Sequence, residues 1–361
     1  MTTKGKIKKI LVRAPNWIGD AVMTLPGLES LGEFYQDKYN DKYERVELTV
    51  LAKPWVVPVY ENNAAVNDVI EFESEHATLL GKLKLIKLLK ARKFDEAVLF
   101  QNAIEAAILT RLAGIPERIG YARDGRSFLL TKKIQFKGDI VDKHQVYYYQ
   151  KIVEDMGGAK KDALMPRITL KESELIWAKK FLEDTVTPDS PFIGIAPGAS
   201  YGPAKKWPLE NFTALLNKFV EEKNAVPVIL GGPGDKEDAG KISDGLSVRH
   251  MNLTDRLTLR QSMAVMSLLN VFITNDSGPM HIASAMGVST VALFGSTSPT
   301  HTGPLNVNTK VIKDEIECSP CFERTCPYGH YDCFKGLTVD RIYDEADKLC
   351  GDALWQREQL F

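Results

Sequence analysis

Two Rossmann-like α/β domains, each a doubly wound sheet, are what this sequence predicts, and three observations predict them. Short apolar runs that read as strands alternate with helical stretches from Lys6 to Phe294. The chain has 361 residues, more than one hydrophobic core keeps pace with, so the alternation divides between two domains. Strand-end loops of the second half carry Ser, Thr, Lys, Asp and Gly, and open α/β sheets bind ligands at the carboxyl ends of their strands.

Composition removes several functions. A formal net charge of −1, with 26% charged and 44% hydrophobic residues, is the profile of a soluble globular protein. No nucleic-acid partner is expected from so balanced a charge. No apolar run reaches the length of a membrane span, and the opening MTTKGKIKKI passes straight into a strand instead of a signal-peptide core. The expected location is the cytoplasm.

In chain order, Lys6 to Arg13 is a basic-tailed strand, followed by the loop Ala14 to Asp20 and a helix from Ala21 to Phe34. The loop lacks G-x-G-x-x-G, so it carries no dinucleotide fingerprint. Asp20 has two readings, a helix cap and a carboxylate at the carboxyl end of the first strand that can accept a proton. Val46 to Leu51, Ala65 to Phe72 and Ala97 to Phe100 are the next strands. A helix from Ala77 to Arg92 places Leu79, Leu80, Leu83, Ile86 and Leu89 on one face. That pattern predicts a sheet-covering helix with a solvated basic edge at Lys82, Lys87 and Lys90, and the alternative use of the edge is an anionic membrane surface. Arg118, Arg123 and Arg126 stand among further cations, where arginine forks suit a phosphate- or carboxylate-bearing acceptor and dispersed surface charge is the plainer alternative.

The polar, proline-bearing stretch Leu182 to Ser190 marks the boundary, giving domains 1–185 and 186–361, with the last helix expected to pack back on the first domain. Pro191 to Ile195 and Val226 to Leu230 are strands, a helix opens near Pro208, and a short strand lies near Val248. Phe272 to Thr274 is a strand, Asn275 to Gly278 a turn, and Pro279 suits the first turn of a helix that Gly287 ends. Val288 to Phe294 then forms a strand closed by Gly295 to Pro299. Asp276 and Ser277 cap a helix or cradle an anion at its N-terminus, where Gly278 admits a phosphate to the backbone. Four of the five cysteines, Cys318, Cys321, Cys326 and Cys333, crowd into one loop, which suits a structural zinc, with His330 as a substitute ligand and free or oxidised thiols as the alternative.

Three segments together resemble the lipopolysaccharide heptosyltransferases: Asn16-Trp17-Ile18-Gly19-Asp20-Ala21-Val22-Met23, the stretch Pro197 to Pro208 with GPAKKWP, and Asn275 to His281, NDSGPMH. The cysteine segment Cys318 to His330 resembles the branch that adds the second heptose to the inner core. The resemblance covers nearly the whole chain and implies a GT-B glycosyltransferase, two Rossmann-like domains facing across a cleft. It implies an inverting transfer from ADP-heptose to the lipopolysaccharide inner core, with no cofactor required and peripheral contact with the cytoplasmic face of the inner membrane. By position, Asp20 would be the general base and Lys205 the cation on the donor diphosphate. Ser200, Tyr201, Asp276, Ser277, Gly278 and His281 would surround the diphosphate and sugar, with Leu257 near adenine and Asp235 at a ribose hydroxyl. A hinge near Thr185 to Ser190 would then bring base and donor together. A transferase using another nucleotide sugar, or a non-catalytic nucleotide- or metal-binding module, are the competing readings.

Overall fold

The computed structural model describes residues 6–183 and 190–355 as two compact units that divide between Ile168 and Thr169. The expected boundary between 185 and 186, and the hinge from Thr185 as far as Asp189, fall outside the described residues. The earlier division has a physical cause. Arg260, buried in the second unit, donates to both carboxylate oxygens of Glu174 at 2.7 and 2.5 Å and to the Thr169 carbonyl at 3.0 Å. Those bonds fasten the helix containing Glu174 to the second unit.

The first unit contains strands β1 (Ile7–Arg13), β2 (Arg45–Ala52), β3 (Asp68–Glu71), β4 (Glu96–Leu99), β5 (Glu117–Tyr121) and β6 (Lys132–Ile134). They pair in parallel in the order β3-β2-β1-β4-β5-β6. Its helices are α1 (Ile18–Tyr39), the single turn α2 (Val57–Tyr60), α3 (Leu79–Arg92), α4 (Ile104–Leu112) and α5 (Gln145–Met156). Because helices cover both faces, Ile10-Leu11-Val12 of β1 and Ala97-Val98-Leu99 of β4 are buried without alternation. Helix α1 crosses α5 at Gly27, where a Cβ would lie 3.2 Å from the Tyr149 backbone. On the other face α3 buries Gly81, Leu85 and Leu89, while Leu79, Leu80 and Leu83 stand 77%, 74% and 53% exposed. The expected apolar stripe is therefore wrong by part of a turn, and three leucines beside the lysines face solvent.

The second unit repeats the topology. Strands β7 (Phe192–Ala196), β8 (Val226–Ile229), β9 (Met251–Asn252), β10 (Val271–Asn275), β11 (Thr290–Phe294) and β12 (Thr309–Lys313) form the order β12-β11-β10-β7-β8-β9. All of these pairs are parallel. Helices α6 (Glu172–Glu183), α7 (Leu209–Lys223), α8 (Lys236–Asp244), α9 (Leu259–Met266), α10 (Gly278–Ala285), the turn α11 (Pro299–Thr302) and α12 (Val339–Trp355) complete it. The last helix was expected on the first domain. Its Ile342, Tyr343, Ala346 and Cys350 lie in the second unit's own core with Phe219, Val271 and Val291.

In each unit the strand order reverses beside the first strand, between β1 and β4 and between β7 and β10. The crevice at the carboxyl ends of such a pair is where a doubly wound sheet holds a ligand. Asp20 follows β1, and Lys205 and Asp276 follow β7 and β10.

Candidate active site

In the second unit the loops after β7 and β10 are joined by one buried amide. Asn275 donates from Nδ2 to the Pro197 carbonyl at 2.7 Å and accepts at Oδ1 from the Trp207 amide at 3.0 Å. Trp207 is wholly buried and its indole N–H donates to the Leu337 carbonyl at 2.9 Å. The loop carrying Lys205 is thereby held at both ends. Lys205 Nζ donates to Asp276 Oδ2 at 2.5 Å, and the Thr297 hydroxyl donates to the same oxygen at 2.6 Å. The two side chains are 12% and 4% exposed, so this pair lies at low dielectric with a small opening to solvent.

Ser277 is the N-cap position of α10, with Pro279 in the first turn, and its hydroxyl lies 3.3 Å from that of Thr274. It makes no side-chain cap bond, so the opening N–H groups of α10 are not closed off by their own cap. Such a terminus with a lysine beside it binds anions. His281 is buried in the same helix. Ser200 is exposed and Tyr201 half-buried in the β7 loop, and the Lys205 ammonium rests 4.9 Å from the Tyr201 ring centre. Leu257 is half-buried just before α9.

Asp235 serves its own loop. Its Oδ2 accepts from the Gly232 amide at 2.9 Å, and its carboxylate presses on Gly198, where a Cβ would lie 2.0 Å from Oδ1. Glycine is required there, and the carboxylate expected at a ribose hydroxyl closes this turn.

In the first unit Asp20 lies inside the first turn of α1, and Trp17 occupies the cap position expected for it. Gln145, 125 residues away on α5, donates from Nε2 to Asp20 Oδ1 at 2.8 Å. Tyr149 is pushed up well above the usual phenol range, by burial first and then by the Asp20 charge. Beneath this turn Arg13 is 2% exposed and donates to the carbonyls of Ala14 and Leu51 and, at 2.8 Å, to Asn16 Oδ1. Burial pushes its guanidinium down to about 10 against the opposing charge of Glu105. Lys53 is lowered by burial and then by Arg13. Trp55 donates its indole N–H to the Asn16 carbonyl at 2.8 Å, and Trp17 and Trp55 remain more than half exposed. The result is a half-buried carboxylate bonded to Gln145, on a turn whose Asn16 is held by Arg13 and Trp55.

The expected arginine trio separates. Arg118 is buried and gives its N–H groups to the carbonyls of Leu129, Ile115 and Pro116, so it is a loop tie and not an open cation. Arg126 is wholly buried, bonded to the carbonyls of Tyr121 and Gln101 and to Asn102 Oδ1. Only Arg123 of the three is exposed, with its guanidinium stacked 4.2 Å from the Phe136 ring centre.

All four loop cysteines and His330 line one small cavity with Ser296. The thiols are free. Four backbone N–H groups hold Cys326 below the usual thiol range, that of Tyr331 foremost, while burial pushes Cys333 up to about 11. Among the described residues no three His, Cys, Asp or Glu side chains converge as a metal-holding group.

Arg13, Gln145, Asn275 and Thr297 are functional-site residues that sequence reasoning missed. Arg13 reads as the end of a basic strand, and nothing local pairs Gln145 with Asp20. Thr297 had a signal, its place in a polar loop at a strand end.

A family model described as glycosyltransferase family 9 (heptosyltransferase) matches residues 82–332. Lipopolysaccharide heptosyltransferase 2 of Escherichia coli (strain K12) is 28% identical over 94% of this chain and 98% of its own length. The solved structure of E. coli ADP-heptose lps heptosyltransferase II matches at a TM-score of 0.79 and 26% identity, covering 95% of this chain and 98% of that one. A glycosyl transferase family 9 structure from Veillonella parvula, 22% identical, has a TM-score of 0.81 over 97% of this chain and 99% of that one, and shares the fold.

Proposed function

The chain belongs to glycosyltransferase family 9, the heptosyltransferases, and we propose that it moves heptose from ADP-heptose onto a heptose already attached to the lipopolysaccharide inner core. It is a glycosyltransferase of GT-B fold. The observation that carries the reading is a hydrogen-bonded aspartate at each switch point: Asp276 with Lys205 and Thr297, and Asp20 with Gln145. The names of the relatives supply the sugar and the acceptor.

The chemistry follows from charge. As the bond from the anomeric carbon to ADP breaks, negative charge grows on the diphosphate, and Lys205 with the N–H groups opening α10 stabilises it more than in the ground state. Asp276 orients Lys205 through Oδ2, leaving Oδ1 to accept from a sugar hydroxyl. Asp20 takes the proton of the attacking acceptor hydroxyl, and attack opposite to ADP inverts the centre. Gln145 keeps the carboxylate in one orientation. Arg13 and Lys53 give the acceptor side a positive field suited to the carboxylates or phosphates of an inner core.

Membrane contact belongs to the same reading. Leu79, Leu80 and Leu83, exposed beside Lys84 and Lys87, form an apolar patch with a basic rim that suits an anionic lipid surface at the cytoplasmic face. No helix among the described residues is long and apolar enough to cross a membrane. The four thiols suit a structural zinc by donor chemistry, with tightening of the loop as the condition of binding, and metal analysis of the purified protein decides it.

The test is product mass and ADP release with inner-core acceptors carrying either no heptose or one, with Asp20→Ala in parallel. Transfer to the one-heptose acceptor alone, lowered at least about 100-fold in the variant with ADP binding retained, is the expected result. Transfer to the heptose-free acceptor would overturn the acceptor, and full activity of the variant would overturn the base.

A further inference from the structure

The cysteine-bearing segment is built onto the nucleotide loops at several points. The Phe322 amide donates to the Ser296 carbonyl at 2.8 Å, and the Ser319 hydroxyl donates to the Gly295 carbonyl at 2.7 Å. Phe334 packs on Gly295, where a Cβ would lie 2.4 Å from its ring. On the β7 loop, the Tyr201 hydroxyl donates to the Phe322 carbonyl at 2.6 Å, and the Ala204 amide donates to the Arg324 carbonyl at 3.0 Å. Gly202, at φ +156, lies so close that a Cβ would stand 2.3 Å from the Arg324 carbonyl oxygen. The segment therefore crosses the diphosphate-facing loop as a strap.

What the strap brings there is a charge. The Arg324 guanidinium lies 5.2 Å from the centre of the Tyr201 ring, the same ring on which the Lys205 ammonium rests at 4.9 Å. Lys205 is matched by Asp276, whereas no carboxylate pairs with Arg324 among the described residues. Arg324 is exposed, so its fork is open to a ligand. Two cations held on one aromatic ring with a single carboxylate between them leave a positive surplus beside the opening turn of α10, and a doubly charged phosphate group neutralises it.

We propose that Arg324 is a further donor-binding residue, reaching over Tyr201 to the diphosphate of the nucleotide sugar opposite Lys205. This rests on the nucleotide-sugar reading above and assigns the strap its part in it. Its planar fork suits two phosphate oxygens at once, and the terminal phosphate is the one that gains charge on transfer. Tyr201 is the positioning residue, tethered by its hydroxyl and flanked by both cations.

Calorimetric titration of the full-length protein with ADP and AMP tests it, using wild type, Arg324→Gln and Arg324→Lys, with UDP and GDP alongside. Arg324→Gln weakens ADP about tenfold and leaves AMP within about twofold, and Arg324→Lys falls between, because charge returns without the fork. Unchanged ADP affinity, or equal losses for ADP and AMP, would overturn the proposal. Preference for UDP or GDP in the wild type would sink the ADP donor, and the diphosphate-to-monophosphate difference measured with the preferred base would still decide Arg324. Thermal unfolding of both variants within about 2 °C of wild type excludes collapse of the strap.

Discussion

At the amino end of β1 a buried cation meets a carboxylate, and at its carboxyl end a buried cation meets none. Lys8 lies 2.8 Å from Glu96 Oε1, which also accepts from Tyr39 at 2.8 Å, while Tyr35 donates to Oε2 at 2.6 Å. Burial alone would raise Glu96, yet the bonds from Lys8, Tyr35 and Tyr39 hold it below the usual carboxylate range. Five positions along the strand is Arg13, lowered by burial and bonded only to carbonyl oxygens and one amide. One end is satisfied and has nothing further to bind. The other carries a charge with no carboxylate bonded to it among the described residues and only the more distant charge of Glu105 opposing it, beneath the turn that presents Asp20, and that is the mark of a ligand end.

Substitutions can break this contrast. The largest effect on stability is expected at the satisfied end, where Glu96→Gln strands Lys8 and costs about 3–5 kcal/mol in denaturant unfolding, with KM values unchanged. At the other end Arg13→Gln keeps a donor and removes an unmatched charge, so stability moves by less than about 1 kcal/mol. Turnover suffers instead, with kcat/KM for the acceptor falling about tenfold as Asn16 and the Asp20 turn lose their support. Equal stability losses from the two variants would erase the distinction.

The smallest effect is on acid sensitivity. Glu96 has a folded-state pKa below its ordinary 4.5, so its stabilisation is fully present above 4.5 and is lost as pH falls through the folded value. Melting temperature of the wild type therefore drops below pH 4.5 more steeply than that of Glu96→Gln, and parallel slopes would place acid sensitivity in other groups.

The central strands were legible in the sequence because burial on both faces writes them as apolar runs, as in Ile10-Leu11-Val12 and Val291-Ala292-Leu293. The edge strands β6 and β12 were not, because β6 holds Lys132 and Lys133 and β12 holds Lys310 and Lys313 and their composition reads as loop. Strand β5, with Glu117 and Arg118, was missed for the same reason, whereas the edge strand β3 was read within Ala65 to Phe72. Asp20, Lys205 and Asp276 could be singled out from motif and strand-end position. What a polar side chain bonds to could not be read. Arg118 and Arg123 look alike as letters, yet one is consumed by three carbonyls and the other lies open on Phe136. Gln145 and Asp20 meet only because α5 packs on α1, a contact with no local pattern.

Asn275 couples the two nucleotide loops through a single side-chain amide, accepting from one side of the Lys205 loop and donating to the other. A socket fixed in that way loses little conformational entropy when its ligand arrives. Inhibitors gain accordingly from rigidity. On the proposed donor reading, a stiff, doubly charged isostere of the pyrophosphate would meet donors already aimed at it, whereas a flexible neutral linker would give up its own freedom and leave the Lys205 charge to Asp276.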